Sequence, residues 1–478
     1  MQGKIYGFNP VTPFKGIILV LSRSVLRLRS LILFNVQYLS LQIYAMCSTK
    51  QLRFREKSLI DLVARSGVLV KQKNLDYDRL VKEWSNAFQL FNNGDYEVAT
   101  TKRIGVLSQI YDFHKVERDD YYPPILSNQF FGPFGHHAVI GLHIAAQQTG
   151  ILPAGERLAL LPPKLAHDEI FNVYKRNLRF VRNDNIFQWT EFPINFHLAE
   201  NLQIWHGSEG FIEGYQVTDK IFQIRNVNLS QPFFTCSEGY IDSSRNLLRS
   251  LGLTDQDWFV GLHIRDGGKK PALRNQQVSN YLPAIKEITE KGGWVIRIGG
   301  AEMPPLPNLP RVIDLTTQPN ALREVHLFVL AKCKFFIGTC SGPQYFPSLF
   351  GVPTLFTNQI GPGRSILTFS QHSIHLPKHC VMGDGREVGL YEMFNSPFGF
   401  GELTLKEFAD RDIHIQENTS EEIRQAVVEI FSRINGTYLD DDTNLDKRVA
   451  EIRSEFWWTS KGRIASTYLR ENESWFLN

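Results

Sequence analysis

One stretch, residues 334–357, constrains the fold more than any other. Lys334-Phe-Phe-Ile-Gly338 is a short apolar run of strand formers, and Thr339-Cys340-Ser341-Gly342 has the small residues of a tight turn. Pro343 then stands at a first helical position, where its missing N–H costs nothing. Gly351 stops that short helix, and Val352-Pro-Thr-Leu-Phe-Thr357 returns as a strand. Strand, small-residue turn, helix and strand in this order form a right-handed crossover between parallel strands.

The same alternation surrounds it. Trp258-Phe-Val-Gly-Leu-His-Ile264 reads as a buried parallel strand. Ser279 can cap the next helix, with Pro283 in its first turn and Val278, Tyr281, Leu282, Ile285 and Ile288 at helical spacing. Gly292-Gly293 ends it, and strands are expected at 294–298, closed by Gly299-Gly300, and at 311–315. Asn320 opens a helix through Leu330, and Ser420-Glu421 opens another carrying Ile423, Ala426, Val427 and Ile430. The expected class is therefore α/β with a parallel sheet. The first half is less periodic. Strands are expected at 103–107 and 157–161, and helices at 139–146 and 168–180.

At 478 residues the chain has room for two or three domains. A boundary near 225–235 divides it into a domain over 61–230 and a second over 231–440, with a helical tail over 441–478. Residues 1–60 stand apart. The first 55 contain no Asp or Glu, and basic residues interrupt their apolar run at Arg23, Arg27 and Arg29. That pattern breaks a secretory core and suits a helix lying on an anionic membrane surface. The same stripe would also serve as a helix packed on the protein's own body, or as a transit-like or non-native leader. The net charge of +3 is too balanced for a dedicated nucleic-acid binder. Five scattered cysteines form no disulfide framework, which fits a reducing, cytoplasmic setting.

Two turns carry the candidate chemistry. Thr339, Ser341 and Gly342 follow a strand and precede a helix, a place where free N–H groups attract phosphate. The bland alternative is Ser341 as a plain helix cap. His263-Ile-Arg265-Asp266-Gly-Gly268 ends another strand, and alternation puts His263 and Arg265 on one face. Arg265 offers a planar fork matched to phosphate oxygens, and Lys269, Lys270 and Arg274 follow it. A salt-bridged strand end is the competing use. In the first half, Gly132-x-x-Gly135-His136-His137 opens a helix. Gly132 and Gly135 suit an acceptor, and His136 or His137 a general base, unless these histidines only cap or pack. His372, His375, His379 and Cys380 have the side chains of metal ligands, but strand alternation and Pro377 scatter them. Asp440-Asp441-Asp442 reads as a solvated turn.

From about residue 95 onward the chain resembles a bacterial family of glycosyltransferases with no assigned substrate. The resembling segments are Val260-Gly-Leu-His-Ile-Arg-Asp-Gly-Gly268, Tyr281-Leu-Pro-Ala-Ile285, Gly292-Gly-Trp-Val-Ile-Arg-Ile-Gly299, Phe335-Phe-Ile-Gly338 with Ser341-Gly342, Phe350-Gly-Val-Pro353 and Gly383-Asp-Gly-Arg386. The resemblance implies a GT-B-like fold, in which two Rossmann-like domains face each other across a cleft. It also implies a nucleotide-sugar donor held mainly by the C-terminal domain, and no catalytic metal or other cofactor. His263-x-Arg265 is similar to the strand-end motif of GDP-fucose-dependent fucosyltransferases, where the Arg holds the donor diphosphate. Those enzymes often place a second Arg next, and this chain has Asp266.

The expected function is sugar transfer from a nucleotide-diphosphate donor to a surface-glycan or glycolipid acceptor, in the cytoplasm or on the inner face of the membrane. The expected donor-binding residues are His263, Arg265, Gly299, Gly300, Thr339, Ser341 and Gly342. Arg265 would also stabilise the leaving diphosphate. A pyruvyl-type transferase acting on polysaccharide, or a silent sugar- or nucleotide-binding module, would use the same scaffold.

Overall fold

The computed structural model describes residues 77–92, the helical and strand stretches of 98–181 given below, 204–207, 210–213, 220–221, 223–224, 231–266, 273–318, 324–360, 368–394, 405–439, 443–452 and 463–473. They belong to one compact unit, Asp76–Thr190 with Phe196–Asn478. The other unit, Met1–Leu75 with Glu191–Asn195, lies outside the described residues, and so does the basic segment 1–60.

The first half contains α1 (Tyr77–Asn92), β1 (Ile125–Leu126), α2 (His136–Gln148), β2 (Arg157–Leu160), α3 (Asp168–Tyr174), β3 (Leu178–Val181), β4 (Ile204–Gly207) and β5 (Gly210–Glu213). Strands β1, β2 and β3 pair in parallel, and β4 and β5 form an antiparallel pair. The second half runs α4 (Glu238–Ser250), β6 (Phe259–His263), α5 (Leu282–Glu290), β7 (Trp294–Arg297), β8 (Val312–Asp314), α6 (His326–Lys332), β9 (Phe336–Gly338) and β10 (Thr354–Gln359). It continues with β11 (Ile374–Pro377), β12 (His379–Met382), α7 (Leu390–Phe394), α8 (Leu405–Ala409), β13 (Ile413–Gln416), α9 (Ser420–Ile434), α10 (Thr443–Ile452), β14 (Arg463–Ile464) and α11 (Ser466–Glu471).

Seven of these strands make one sheet in the order β14-β11-β10-β9-β6-β7-β8, and every pairing in it is parallel. The chain winds outward from β6 through β7 to β8, then returns to the other side of β6 as β9. The order therefore reverses between β6 and β9, which is where ligands gather in open parallel sheets.

Apolar side chains fill both faces. Phe259, Ile296 and Phe336 pack in one layer with Val329, Leu330, Leu349 and, from the first half, Ile144 of α2. Val260, Leu262, Val295 and Ile337 pack in the other with Ile285, Ile288, Ile423 and Val427. Every residue of β6 and of β10 is buried; β6 is a largely apolar run, whereas β10 also buries Thr354, Thr357, Asn358 and Gln359. Each such Leu, Ile, Val or Phe contributes roughly 1.5–3 kcal/mol through burial. Gly261 on β6 is needed for the close approach of β9 and α6, because a Cβ there would lie 2.7 Å from the Phe336 ring. On α2, a Cβ at Gly141 would lie 2.3 Å from Leu349 Cδ1. This helix therefore packs tightly against the segment that follows β9.

The α/β expectation describes this fold, with local corrections. Residues 101–102, 105–106 and 109 are helical, where a strand was expected at 103–107; short apolar runs do not separate the two states. The helix expected over 168–180 stops at Tyr174, where the Asn177 amide turns back onto the Tyr174 carbonyl, and Leu178–Val181 becomes β3. Ser279 lies inside a 3-10 turn, Val278–Tyr281, that runs into α5, so it caps nothing. α9 begins at Ser420 as expected, and Thr419 caps it in a reciprocal box with Glu422. The tail is not purely helical, since β14 forms an edge of the large sheet. Asn320 and Asp440–Asp442 lie outside the described residues. Among the described residues no helix is long and apolar enough to cross a membrane.

Candidate functional site

The two turns singled out in the sequence meet where the strand order reverses. Arg265 leaves the C-terminal end of β6, and Thr339 leaves the neighbouring end of β9, whose Gly338 pairs with His263. The Arg265 backbone N–H donates to Thr339 Oγ1 at 3.1 Å, which latches the turns together. Thr339 is fully buried, so its hydroxyl fixes the loop from within. Ser341 and Gly342 lie closer to the surface.

The segment after this turn corrects the expectation. It is two short 3-10 turns, Gly342–Tyr345 and Pro347–Phe350, and no α-helix. Pro343 and Pro347 deny it backbone donors, and Gly351 ends it at φ 74°. A four-residue 3-10 turn has little of the dipole that an α-helix would present to phosphate. Ser341 stands at the N-cap position with extended backbone and makes no side-chain cap, so the plain-cap alternative does not describe it either. Charge for an anion must then come from side chains.

Arg265 supplies it. Its side chain is half-buried, and Nε is buried without a hydrogen-bond partner. Burial, with Arg274 nearby, lowers the guanidinium pKa below its ordinary value. Two cations facing each other without an anion repel, and an anion between them relieves both. Behind Arg265 the Gln276 amide donates to the Arg265 carbonyl at 2.8 Å, which carries the chain back to the site after Lys269 and Lys270. Those two lysines lie outside the described residues.

His263 forms the floor. It is 3% exposed, and its Nδ1 has no hydrogen-bond partner. Burial, then the charges of Arg297 and Arg265, push its pKa down to about 3. The imidazole is therefore neutral near pH 7 and adds no positive charge to the site. Arg297, on β7, is fully buried and pairs with Asp314 at 3.2 Å.

Gly299 and Gly300 follow β7 at the same end of the sheet. A Cβ on Gly299 would stand 2.5 Å from Met303 Sδ, so local packing already favours glycine there. Gly132 and Gly135 lie outside the described residues. His136 and His137 begin α2, which packs on both 3-10 turns that follow Ser341, while their side chains are outside the description.

Of the four candidate metal ligands near residue 375, His379 has another use. His379 on β12 lies between two carboxylates, with Nδ1 toward Glu387 and Nε2 2.8 Å from Glu422. Burial opposes its charge, but hydrogen bonds and the charges of Glu387 and Glu422 outweigh burial and push its pKa up to about 9. Cys380 is buried, which pushes its thiol up to about 12. The raised His379 pKa fixes a sign. The folded state holds the proton more tightly than the unfolded state, where the pKa is near about 6.5. The stabilisation is complete below that value and disappears as pH rises through about 9. Between pH 6 and 9.5 it should fall by on the order of 2–3 kcal/mol, and His379→Gln should flatten that slope in urea unfolding. An unchanged slope in the variant would assign the pH dependence elsewhere.

Sequence reasoning did not single out Arg297, or Lys378, a buried residue that directly follows β11.

Fold and site together define an α/β protein with a doubly wound parallel sheet and a cation-lined end at its topological switch. No family model matches the chain, and no curated protein matches it. Among solved structures it is similar to a glycosyltransferase family 9 protein from Veillonella parvula, with 13% identity, 62% of this chain and 94% of that chain covered, and a TM-score of 0.39. It is also similar to the ADP-heptose lipopolysaccharide heptosyltransferase II of E. coli, with 10% identity, 65% and 98% covered, and a TM-score of 0.35. A third is the dodecameric iron-containing heptosyltransferase TibC, with 11% identity, 62% and 74% covered, and a TM-score of 0.31.

Proposed function

We propose that the chain is a GT-B-like glycosyltransferase that moves a sugar from a nucleotide-diphosphate donor to a surface-glycan or glycolipid acceptor. The observation that carries this reading is the latch between Arg265 N and Thr339 Oγ1 at the switch point. It joins a cationic strand end to a small-residue turn where a parallel sheet presents its ligand edge. Arg265 and Arg274 then grip the diphosphate, with His263, Gly299, Gly300, Ser341 and Gly342 shaping the site around it.

In the reaction the bond from the anomeric carbon to the diphosphate oxygen breaks, and the acceptor oxygen bonds to that carbon. Arg265 stabilises the charge left on the departing diphosphate. His136 or His137 takes the acceptor proton, with Gly132 and Gly135 at the acceptor side. The helix that these histidines begin is packed on the segment following the donor turn, which supports bringing base and donor together. The basic, apolar first 55 residues suit attachment to the inner face of an anionic membrane, where a lipid-linked acceptor resides.

The direct test offers nucleotide sugars to the protein and follows nucleoside diphosphate release with and without acceptor. Release of that product is expected, and it should persist in excess chelator because fixed cations balance the diphosphate charge. Activity lost in chelator and restored by manganese or magnesium would overturn the metal-free part. Phosphoenolpyruvate turnover without nucleotide release would replace the whole reading.

A further inference from the structure

Lys378 is a buried cation that the fold alone does not explain. It follows β11 directly and is 5% exposed. Its backbone N–H donates to the Gln359 carbonyl at 2.9 Å, which fixes it beside the end of β10. Its ammonium has no ion pair or hydrogen bond among the described residues. Glu417 acts on it only at longer range, and Glu417 Oε2 already accepts from Gln277 N at 2.9 Å and Asn280 Nδ2 at 3.1 Å. Burial lowers the pKa of the ammonium. The stem is buried while the ammonium has no protein partner among the described residues, an arrangement that favours a ligand anion over a salt bridge.

Its position gives it a use. In the sheet order β11-β10-β9-β6, the turn after β9 has Arg265 on one side and Lys378 on the other. The Cys340 thiol in that turn lies close enough to both cations to act on each electrostatically. Two further buried groups at this end of the sheet lack partners. Gln359 Nε2 donates to Gln344 Oε1 at 3.3 Å, which leaves Gln344 Nε2 and Gln359 Oε1 unpaired. An unpaired ammonium and an unpaired amide donor beside a small-residue turn are complementary to anionic oxygens.

We infer that Lys378 is a further anion-binding residue of this site, approaching the turn from the side opposite Arg265, and that the site therefore selects two linked phosphates over one. The inference rests on the donor reading above and adds a residue and a selectivity to it. A diphosphate spreads its charge over two centres and can engage cations on both flanks of the turn, whereas a monophosphate satisfies one flank.

The test compares wild type with Lys378→Met, which keeps the length of the stem and removes the charge. Both are titrated with ADP and AMP, GDP and GMP, and UDP and UMP, and both are melted without ligand. For at least one base, wild type should prefer the diphosphate by about tenfold or more, the worth of one charge-assisted contact. In Lys378→Met that preference should collapse toward unity, while the unliganded melting temperature stays level or rises. Lys378→Arg, which keeps the charge, should retain most of the preference. A preference kept in Lys378→Met, or a lowered melting temperature in that variant, would overturn the assignment and make Lys378 structural. Failure of wild type to bind any of the three diphosphates would instead remove the donor reading on which the inference rests.

Discussion

Replacing Arg265 with alanine should lower sugar transfer by roughly a hundred- to a thousandfold, the range found when one donor is removed from a preorganised oxyanion site. The unliganded protein should melt almost where wild type does. Both halves of this expectation come from the surroundings of the side chain. Nε is buried and unpartnered, and Arg274 is close enough to disfavour the charge. The guanidinium therefore gives the empty protein little, and its removal relieves a repulsion. During transfer the balance reverses, because negative charge grows on the leaving diphosphate. Arg265→Lys should lose most of the activity as well, since an ammonium keeps the charge but not the planar fork. Initial rates and melting curves on the same preparations decide the matter. Near-normal activity in the alanine variant would end the diphosphate role. A large fall in melting temperature would make Arg265 a structural strand end.

How much of this site could be read from the chain depends on how local each signal is. His263, Arg265, Thr339 and Ser341 were legible because strand, turn and residue type lie within a few positions of one another. What brings the two turns together is the pairing of β6 with β9, about 70 residues apart in sequence, and no local pattern reports strand order. Lys378 was hidden for the same reason, since its relevance comes from β11 lying two places from β9. The helix expected after Ser341 failed for a local reason. Pro343 suits a first helical turn, but Pro347 removes another donor four residues on and breaks the segment into two 3-10 turns. The pairing of His379 with Glu387 and Glu422 was not legible either, because Glu422 comes from a segment more than 40 residues away.

The largest expected loss of stability lies one strand away from the site, at Asp314. This carboxylate ends β8 and serves four donors. Oδ2 accepts from Leu306 N at 2.7 Å and Arg297 Nη1 at 3.2 Å, and Oδ1 accepts from Thr316 N at 3.0 Å and Thr316 Oγ1 at 2.7 Å. Arg297 is fully buried, and its Nε and Nη2 have no partners. Burial already lowers the guanidinium pKa, and Asp314 is the main group that opposes this. Asp314→Ala should therefore cost about 3–5 kcal/mol in urea unfolding, because it strands a buried charge. The pair is not worth that much as a unit. With two of its nitrogens unpartnered, Arg297 recovers only part of its desolvation, so removing both charges should be the milder change. The double variant Arg297→Met/Asp314→Ala should be more stable than Asp314→Ala alone, and the two substitutions should fall short of additivity by a coupling of about 1–3 kcal/mol. The consequence reaches the site because Arg297 is one of the charges that hold His263 neutral. In the double variant the His263 pKa should rise, and an NMR titration of its ring protons would detect the change. Strict additivity of the two substitutions, together with an unmoved His263, would show that Arg297 and Asp314 act separately and that neither supports the floor of the site.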